Sequence, residues 1–492
     1  MNFFTSQFKT RKNDKIEHIL QERNDETVDI YLYNTLTKEK DLFKPINEKE
    51  VKIYSCGPTV YKDATIGNMR TNIFQDVLRR MLKYNGYTIK HVMNITDVGH
   101  LVSDGDEGED KMIKSAREEH KTPLEIAEHY TKLFFDDLKD LNIEIPEVIC
   151  KATEYIPEML EYVKELVEKG YAYETSTAIY FDVSKLDKYP VLSNLNVEEQ
   201  KAGARVDVDP EKKNPYDFAL WIKAPENHLM KWDSPWGPSY PGWHIECSAM
   251  SRKHLGEQFD IHTGGIDLIP THHENEIAQS KGVCGKILAN YWIHGEYLLI
   301  NGGKMSKSLG NVYLLKDIKE KGYDPLVYKL LCYTSSYRNK LNFTWEGIEA
   351  SSKSLERLRN GYQANKNGTD TLDEEDRKEL DRLENEFHKA INDDMNMPLA
   401  MSFVWEVIKY PKKSPEIAEL LLKFDTVLGI KIDKEEANKE IEIPEEVLKL
   451  VEERKQARQE KNWAESDRLR DLIKEKGYEV KDTKDGMILN AQ

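Results

Sequence analysis

The spacing of apolar residues changes several times along the chain, and each change marks an element. From Ile30, the text IYLYNTLTKEKDLFKPI breaks into short apolar runs separated by turn residues, which predicts short strands ending near Pro45. VKIYSC (Val51 to Cys56) is a compact β-rich run. After the loop GPTVYKDATIGN, the residues Ile73, Phe74, Val77, Leu78, Met81 and Leu82 recur at helical spacing, and Asn85-Gly86 stops that helix. TIKHVMNIT (Thr88 to Thr96) reads as the next strand. Strand, loop, helix and strand predict a parallel pair with a right-handed crossover. Such sheets bind ligands beyond the C-terminal ends of their strands. Cys56, Gly57, Thr65, Gly67, Asn68 and Thr96 would sit at that edge.

The next stretch differs. An acidic loop from Asp104 to Asp110 leads into helical text, EIAEHYTKLFFDDLKDL and YIPEMLEYVKELVEKGY, ending at Gly170. ETSTAIYFDV (Glu174 to Val183) reads as a hairpin piece, and this region as an insertion between the halves of a nucleotide-binding sheet. NPYDFALWIKA and WDSPWG are expected to return the chain to the core. Beyond Asn311 the apolar spacing is helical, and Pro444 and the Asn462 to Glu465 capping pattern start the last helices. The expected class is therefore α/β: a Rossmann-type parallel-sheet domain with an inserted connective domain, followed by C-terminal α-helical domains. The expected boundaries are an extension at 1–29, the first sheet half at 30–110, the insertion at 111–209, the second half at 210–325, a helical bundle at 326–440 and a small domain at 441–492.

Composition narrows the class. The chain has 492 residues, too many for one hydrophobic core, and a charged fraction of 32%. No run approaches the roughly 18 apolar residues that span a membrane, and the first residues lack the apolar core of a secretory signal. Five cysteines, an odd number, suit a reducing, cytoplasmic setting. A net charge of −17 argues against nonspecific coating of DNA, although a local basic face for tRNA remains compatible with it.

The chemistry concentrates between Pro241 and Lys307. PGWHIECSAM holds Cys247, and IHTGGIDLIPTHHENEIAQS holds His272 and Glu276, four apart and so one turn apart on a helix. With Cys56 they offer two thiols, an imidazole and a carboxylate, all ligand types that zinc accepts at about 2.0–2.3 Å. Two core cysteines and a solvated HHENE face are the competing account. GGKMSKSLGN sets Lys304 and Lys307 in a Gly-flanked loop suited to polyphosphate, where a plain solvated basic loop is the alternative.

In combination, CGPTVY, NITDV, GWHIECSAM, HHENEIAQS and KMSKSLGN resemble the cysteinyl-tRNA synthetases, class I aminoacyl-tRNA synthetases, over everything beyond about residue 30. The resemblance implies that Cys56, Cys247, His272 and Glu276 bind zinc. It implies that Thr65 to Asn68 stand at the HIGH signature and Lys304 to Ser308 form the KMSKS loop. Gly57, Thr96 and Trp243 would hold the backbone groups of the amino acid, His262 and Asp267 would lie on the nucleotide side, and Arg458, Trp463 and Asp467 would read the anticodon. The implied substrates are L-cysteine, ATP with Mg²⁺ and tRNA(Cys), acted on by a monomer. The implied reaction joins cysteine to tRNA through a cysteinyl-adenylate, with Lys307 as the principal transition-state contact. Thr65 departs from the family's first histidine, and Tyr240 from its usual arginine before PGW. Two alternatives share these motifs: a ligase joining cysteine to a small amine, and a non-catalytic paralogue that senses cysteine or RNA. The C-terminal helical domains argue against the first, and the intact KMSKS and ligand set against the second.

Overall fold

The computed structural model describes residues 28–99, 111–193, 209–226, 228–306, 309–435, 444–483 and 486–491. Nearly all of the expected extension, the acidic loop at 104–110, Lys307 and Ser308 lie outside them. The chain divides into two compact units, Met1–Asp433 and Lys434–Gln492.

The first unit opens with an antiparallel ribbon, β1 (Tyr31–Asn34) and β2 (Glu39–Leu42). There follow β3 (Glu50–Ser55), α1 (Ile66–Tyr84), β4 (Thr88–Ile95), α2 (Lys111–Glu118), α3 (Pro123–Asp140), β5 (Val148–Lys151) and α4 (Ile156–Glu168). Next come β6 (Ala172–Glu174), β7 (Ala178–Phe181), β8 (Phe218–Lys223), β9 (Ser239–Pro241), α5 (Trp243–Leu255), β10 (Phe259–Gly265), α6 (Glu274–Cys284) and β11 (Ala289–Gly295). The unit ends with β12 (Leu298–Ile300), β13 (Gly303–Lys304), α7 (Leu315–Glu320), α8 (Leu326–Cys332), β14 (Leu341–Phe343) and four helices, α9 (Trp345–Lys366), α10 (Glu374–Asn392), α11 (Met397–Ile408) and α12 (Pro415–Leu428).

Five parallel strands form the central sheet in the order β11-β10-β3-β4-β5. The strand order reverses between β3 and β10, so the crevice at their C-terminal ends is the topological switch point where such sheets take ligands. Helices cover the sheet, and β3 and β4 are accordingly buried along most of their length. The expected β3–α1–β4 unit is present, with Ile73, Val77, Leu78, Met81 and Leu82 of α1 all buried.

α1 also buries charge. Asp76 Oδ2 accepts from Arg80 Nε at 2.8 Å and from Lys329 Nζ at 2.7 Å, and Arg80 reaches the carbonyl of Thr426 in α12. Burial pushes the Asp76 carboxyl up, but the two cations outweigh it and hold the group at about 2. This paired charge locks α1 to α8 and α12.

The expected return to the core at NPYDFALWIKA is present, but through a different sheet. β8 and β9 do not join the parallel sheet; with β6 and β7 they form an antiparallel sheet in the order β6-β7-β8-β9. The chain rejoins the parallel sheet only at β10, although Phe218, Leu220 and Trp221 of β8 already pack in one core with Tyr54 of β3 and Val92 of β4. The cause is tertiary pairing: the buried run Phe218–Lys223 suits either sheet by composition, and β7 supplies its edge.

The second unit contains α13 (Glu445–Gln459), α14 (Trp463–Glu475) and a hairpin of β15 (Tyr478–Thr483) and β16 (Gly486–Ala491). Among the described residues, no helix is long and apolar enough to cross a membrane.

Candidate active site

Cys56 follows β3 directly, and its N–H donates to the carbonyl of Thr263 in β10 at 3.2 Å, which places the sulfur over the switch point. Gly57 comes next because nothing larger fits: a Cβ there would lie 1.8 Å from the carbonyl oxygen of Asn94. Gly57→Ala is therefore expected to destabilise the fold by about 3 kcal/mol, read as a lowered denaturation midpoint, and to displace Cys56.

α5 brings the second thiol. Gly242 starts this helix where a Cβ would meet the Ala219 carbonyl oxygen at 2.3 Å, so the helix begins against the β8 backbone. One turn on, Cys247 is buried with its sulfur 3.9 Å from that of Cys56. Trp243, on the same face, is half-buried with its ring 4.3 Å from that of His272.

His272 and Glu276 were expected one turn apart on a regular helix. Instead Ile269–His273 makes a wide π-type turn that runs into α6. Pro270 removes one backbone donor from this turn, and such turns are frequent at functional sites. The side chains still meet, His272 Nε2 lying 3.2 Å from Glu276 Oε1 and 3.4 Å from Cys247 Sγ. The ligand atoms of Cys56, Cys247, His272 and Glu276 all lie within 4.8 Å of one another.

These separations suit zinc: metal bonds of about 2.0–2.3 Å in a tetrahedron imply ligand-to-ligand distances of about 3.3–3.8 Å. Burial pushes the Cys56 thiol well up, and Cys247 beside it adds to the rise. Burial likewise raises the thiol of Cys247 and the carboxyl of Glu276. A dication bound among these groups reverses that preference for the uncharged forms.

His273 and His294 were not found from the sequence as site residues. His273 Nε2 lies 3.2 Å from Cys56 Sγ, and Cys56, His262, His273 and Glu276 form a second, overlapping ligand set. His273 Nδ1 meets His294 Nε2 at 2.7 Å, and His294 Nδ1 meets the Thr35 hydroxyl. The His-His doublet was the available signal. His262 was expected on the nucleotide side, but it is fully buried with Nε2 3.0 Å from Glu276 Oε2, beside the candidate ligand set. Its place in a central strand between β3 and β11 sends the side chain into the interior. Asp267 is exposed just past the end of β10.

The other two signatures lie at the start of α1. Thr65 is the N-cap: its hydroxyl accepts from the Asn68 N–H, and its own N–H donates to Asn68 Oδ1 at 2.9 Å. Thr65 thus supplies a reciprocal cap where the family's imidazole would stand. Lys304 is exposed on β13, which pairs antiparallel with β12. The Asn311 side chain ties the loop, accepting from Ser306 N–H at 2.8 Å and donating to the Lys304 carbonyl. The Met305 methyl lies 3.7 Å from where a Cβ on Gly67 would be, so this loop covers the start of α1.

In the second unit, the Arg458 guanidinium lies 5.8 Å from the centre of the Trp463 ring, which is 57% exposed. Asp467 is exposed one turn further along α14.

A family model described as "tRNA synthetases class I (C) catalytic domain" matches residues 42–353. A second, described as "Cysteinyl-tRNA ligase anticodon binding domain", matches residues 441–487. The chain is 46% identical over 480 residues to the cysteine–tRNA ligase of Treponema denticola, covering 92% of this chain and 97% of that one. It is 43% identical over 485 residues to the cysteine–tRNA ligase of Fusobacterium nucleatum, covering 93% and 98%. Among solved structures, Mycobacterium tuberculosis methionyl-tRNA synthetase in complex with methionyl-adenylate superposes with a TM-score of 0.54 at 13% identity, over 78% of this chain and 90% of that one. At that identity the likeness concerns the fold alone.

Proposed function

Since the chain belongs to the cysteinyl-tRNA synthetase family and so joins cysteine to tRNA with ATP, we propose that it recognises cysteine through zinc held by Cys56, Cys247, His272 and Glu276. The observation that carries this is the convergence of two thiols, an imidazole and a carboxylate from three separate segments. Bound there, zinc supplies a soft Lewis acid that prefers the substrate's thiolate to an alcohol, which separates cysteine from its near-isostere serine.

The remaining work falls to the chain's own groups. Gly57, Thr96 and Trp243 hold the backbone groups of cysteine. Its carboxylate attacks the α-phosphate of ATP, forming cysteinyl-adenylate and releasing pyrophosphate, with no protein nucleophile. Gly67 and Asn68, with the Thr65 cap, present the N-terminus of α1 to the phosphates, where free N–H groups and the helix dipole favour anions. Asp267 reaches the ribose. Lys304 and Lys307 meet the charge that builds on the departing phosphates, which Mg²⁺ accompanies. The terminal ribose of the tRNA then attacks the adenylate.

In this scheme residues 30–110 and 210–325 activate cysteine together with β5 of the central sheet, which falls within the expected insertion 111–209. Residues 326–440 form the helical bundle and 441–492 read the anticodon, in a monomer. Trp463 stacks on an anticodon base with Arg458 and Asp467 beside it. Trp463→Ala is expected to raise the KM for tRNA roughly tenfold while leaving cysteine-dependent pyrophosphate exchange unchanged.

The decisive test is ATP–pyrophosphate exchange with cysteine, with serine as control and zinc assayed on the same sample. Exchange with cysteine alone, lost when zinc is removed, is the expected result. Equal exchange with serine, or exchange indifferent to zinc, would refute the metal assignment. Addition of tRNA then separates this activity from ligation to a small amine.

A further inference from the structure

Four residues beside the two thiols form a hydrogen-bonded chain. The Gly57 N–H donates to Asn94 Oδ1 at 2.9 Å. Asn94 Nδ2 lies 3.0 Å from the Thr96 hydroxyl oxygen, which lies 2.8 Å from Glu246 Oε2. Gly57 is next to Cys56, and Glu246 is next to Cys247. Asn94, Thr96 and Glu246 are all buried.

The direction of this chain is set at both ends. A backbone N–H can only donate, so Asn94 must turn its carbonyl oxygen to Gly57 and its NH₂ to Thr96. At the other end the Thr96 hydroxyl donates its single proton to Glu246 Oε2. Thr96 is then left with one lone pair and no proton to offer. A hydroxyl held this way welcomes a donor and repels another acceptor.

We propose that Asn94 and Glu246 are positioning residues that hold the Thr96 hydroxyl as an acceptor, and so commit this corner of the site to the substrate's α-ammonium rather than its carboxylate. The inference rests on cysteine being the amino acid bound at this cluster. With the ammonium held here, the carboxylate is left to face the nucleotide, as adenylate formation requires. Neither residue touches the reacting atoms; both act through Thr96.

The test compares three ligands: cysteine, cysteamine, which lacks the carboxylate, and 3-mercaptopropionate, which lacks the ammonium. KM for cysteine and inhibition constants for the other two are measured by pyrophosphate exchange on zinc-loaded wild type, Asn94→Ala, Glu246→Leu and Glu246→Gln. In Asn94→Ala and Glu246→Leu, cysteine and cysteamine are expected to weaken roughly tenfold or more, while 3-mercaptopropionate stays within about twofold of wild type. Glu246→Gln keeps an acceptor for the Thr96 proton and is expected to restore most of the split. Zinc content checks that the cluster survives, and the Asn94 and Glu246 variants are independent arms should one fail to fold. If all three ligands weaken alike, or none does, in a background whose wild type activates cysteine, the assignment of Asn94 and Glu246 is overturned. A wild type that does not activate cysteine would overturn the parent proposal and this one with it.

Discussion

Replacing Cys247 with serine is expected to empty the metal cluster and to lower cysteine-dependent pyrophosphate exchange by at least about 100-fold. The sulfur is buried and 3.4 Å from His272 Nε2, so it has no solvent substitute. A serine hydroxyl fills nearly the same space but supplies neither a soft donor nor an accessible anion. The fold should therefore survive the change while the site does not. Zinc stoichiometry, activity and the thermal midpoint on one preparation separate these effects. Full zinc content with undiminished exchange would remove Cys247 from the ligand set. The two overlapping sets give a sharper check: His272→Ala is expected to lose the metal, and His273→Ala to keep it. The opposite pattern would move the ion to the set containing Cys56, His262, His273 and Glu276.

The second large effect is expected at Lys307. Lys307→Ala should lower kcat for adenylate formation by about 100- to 1000-fold, the usual cost of one preorganised charge partner, with little change in the KM for cysteine. On the proposed mechanism its charge acts as negative charge moves onto the leaving pyrophosphate, so its loss is expected to fall on kcat rather than on binding. The described part of the loop, Lys304 to Ser306, is anchored at Asn311 and covers the start of α1 at Met305 and Gly67. A raised KM for ATP at constant kcat would instead make Lys307 a ground-state binding residue. Lys304→Ala is expected to show the same pattern with a smaller loss.

Much of this was legible in the one-dimensional text because it depends on near neighbours. Apolar spacing marked β3, α1 and β4, and turn residues marked their ends. The thiol, imidazole and carboxylate donors of Cys56, Cys247, His272 and Glu276 were legible as a possible ligand set, since ligand chemistry belongs to residue type, and the structure brings them together. The C-terminal hairpin was missed, although the Asp485-Gly486 dipeptide in the sequence is a hairpin signal. β15 is largely polar and β16 carries the consecutive apolar run Met487–Leu489, so neither shows a clean alternation.

What the sequence by itself determined was which chemistries are present and roughly which element carries each. Only the tertiary structure decided which groups meet. Spacing makes Asp76 an anomaly on the buried face of α1; its partner Lys329 lies 253 positions later. β8 could have joined either sheet until β7 offered an edge. His262, plausible at a nucleotide surface, was turned into the cluster by the pleat of a central strand. The direction of the Thr96 proton depends on Glu246, 150 positions away. In each case the deciding quantity is a distance across the fold, set by packing and by the need to pair buried polar groups, and no local pattern encodes it.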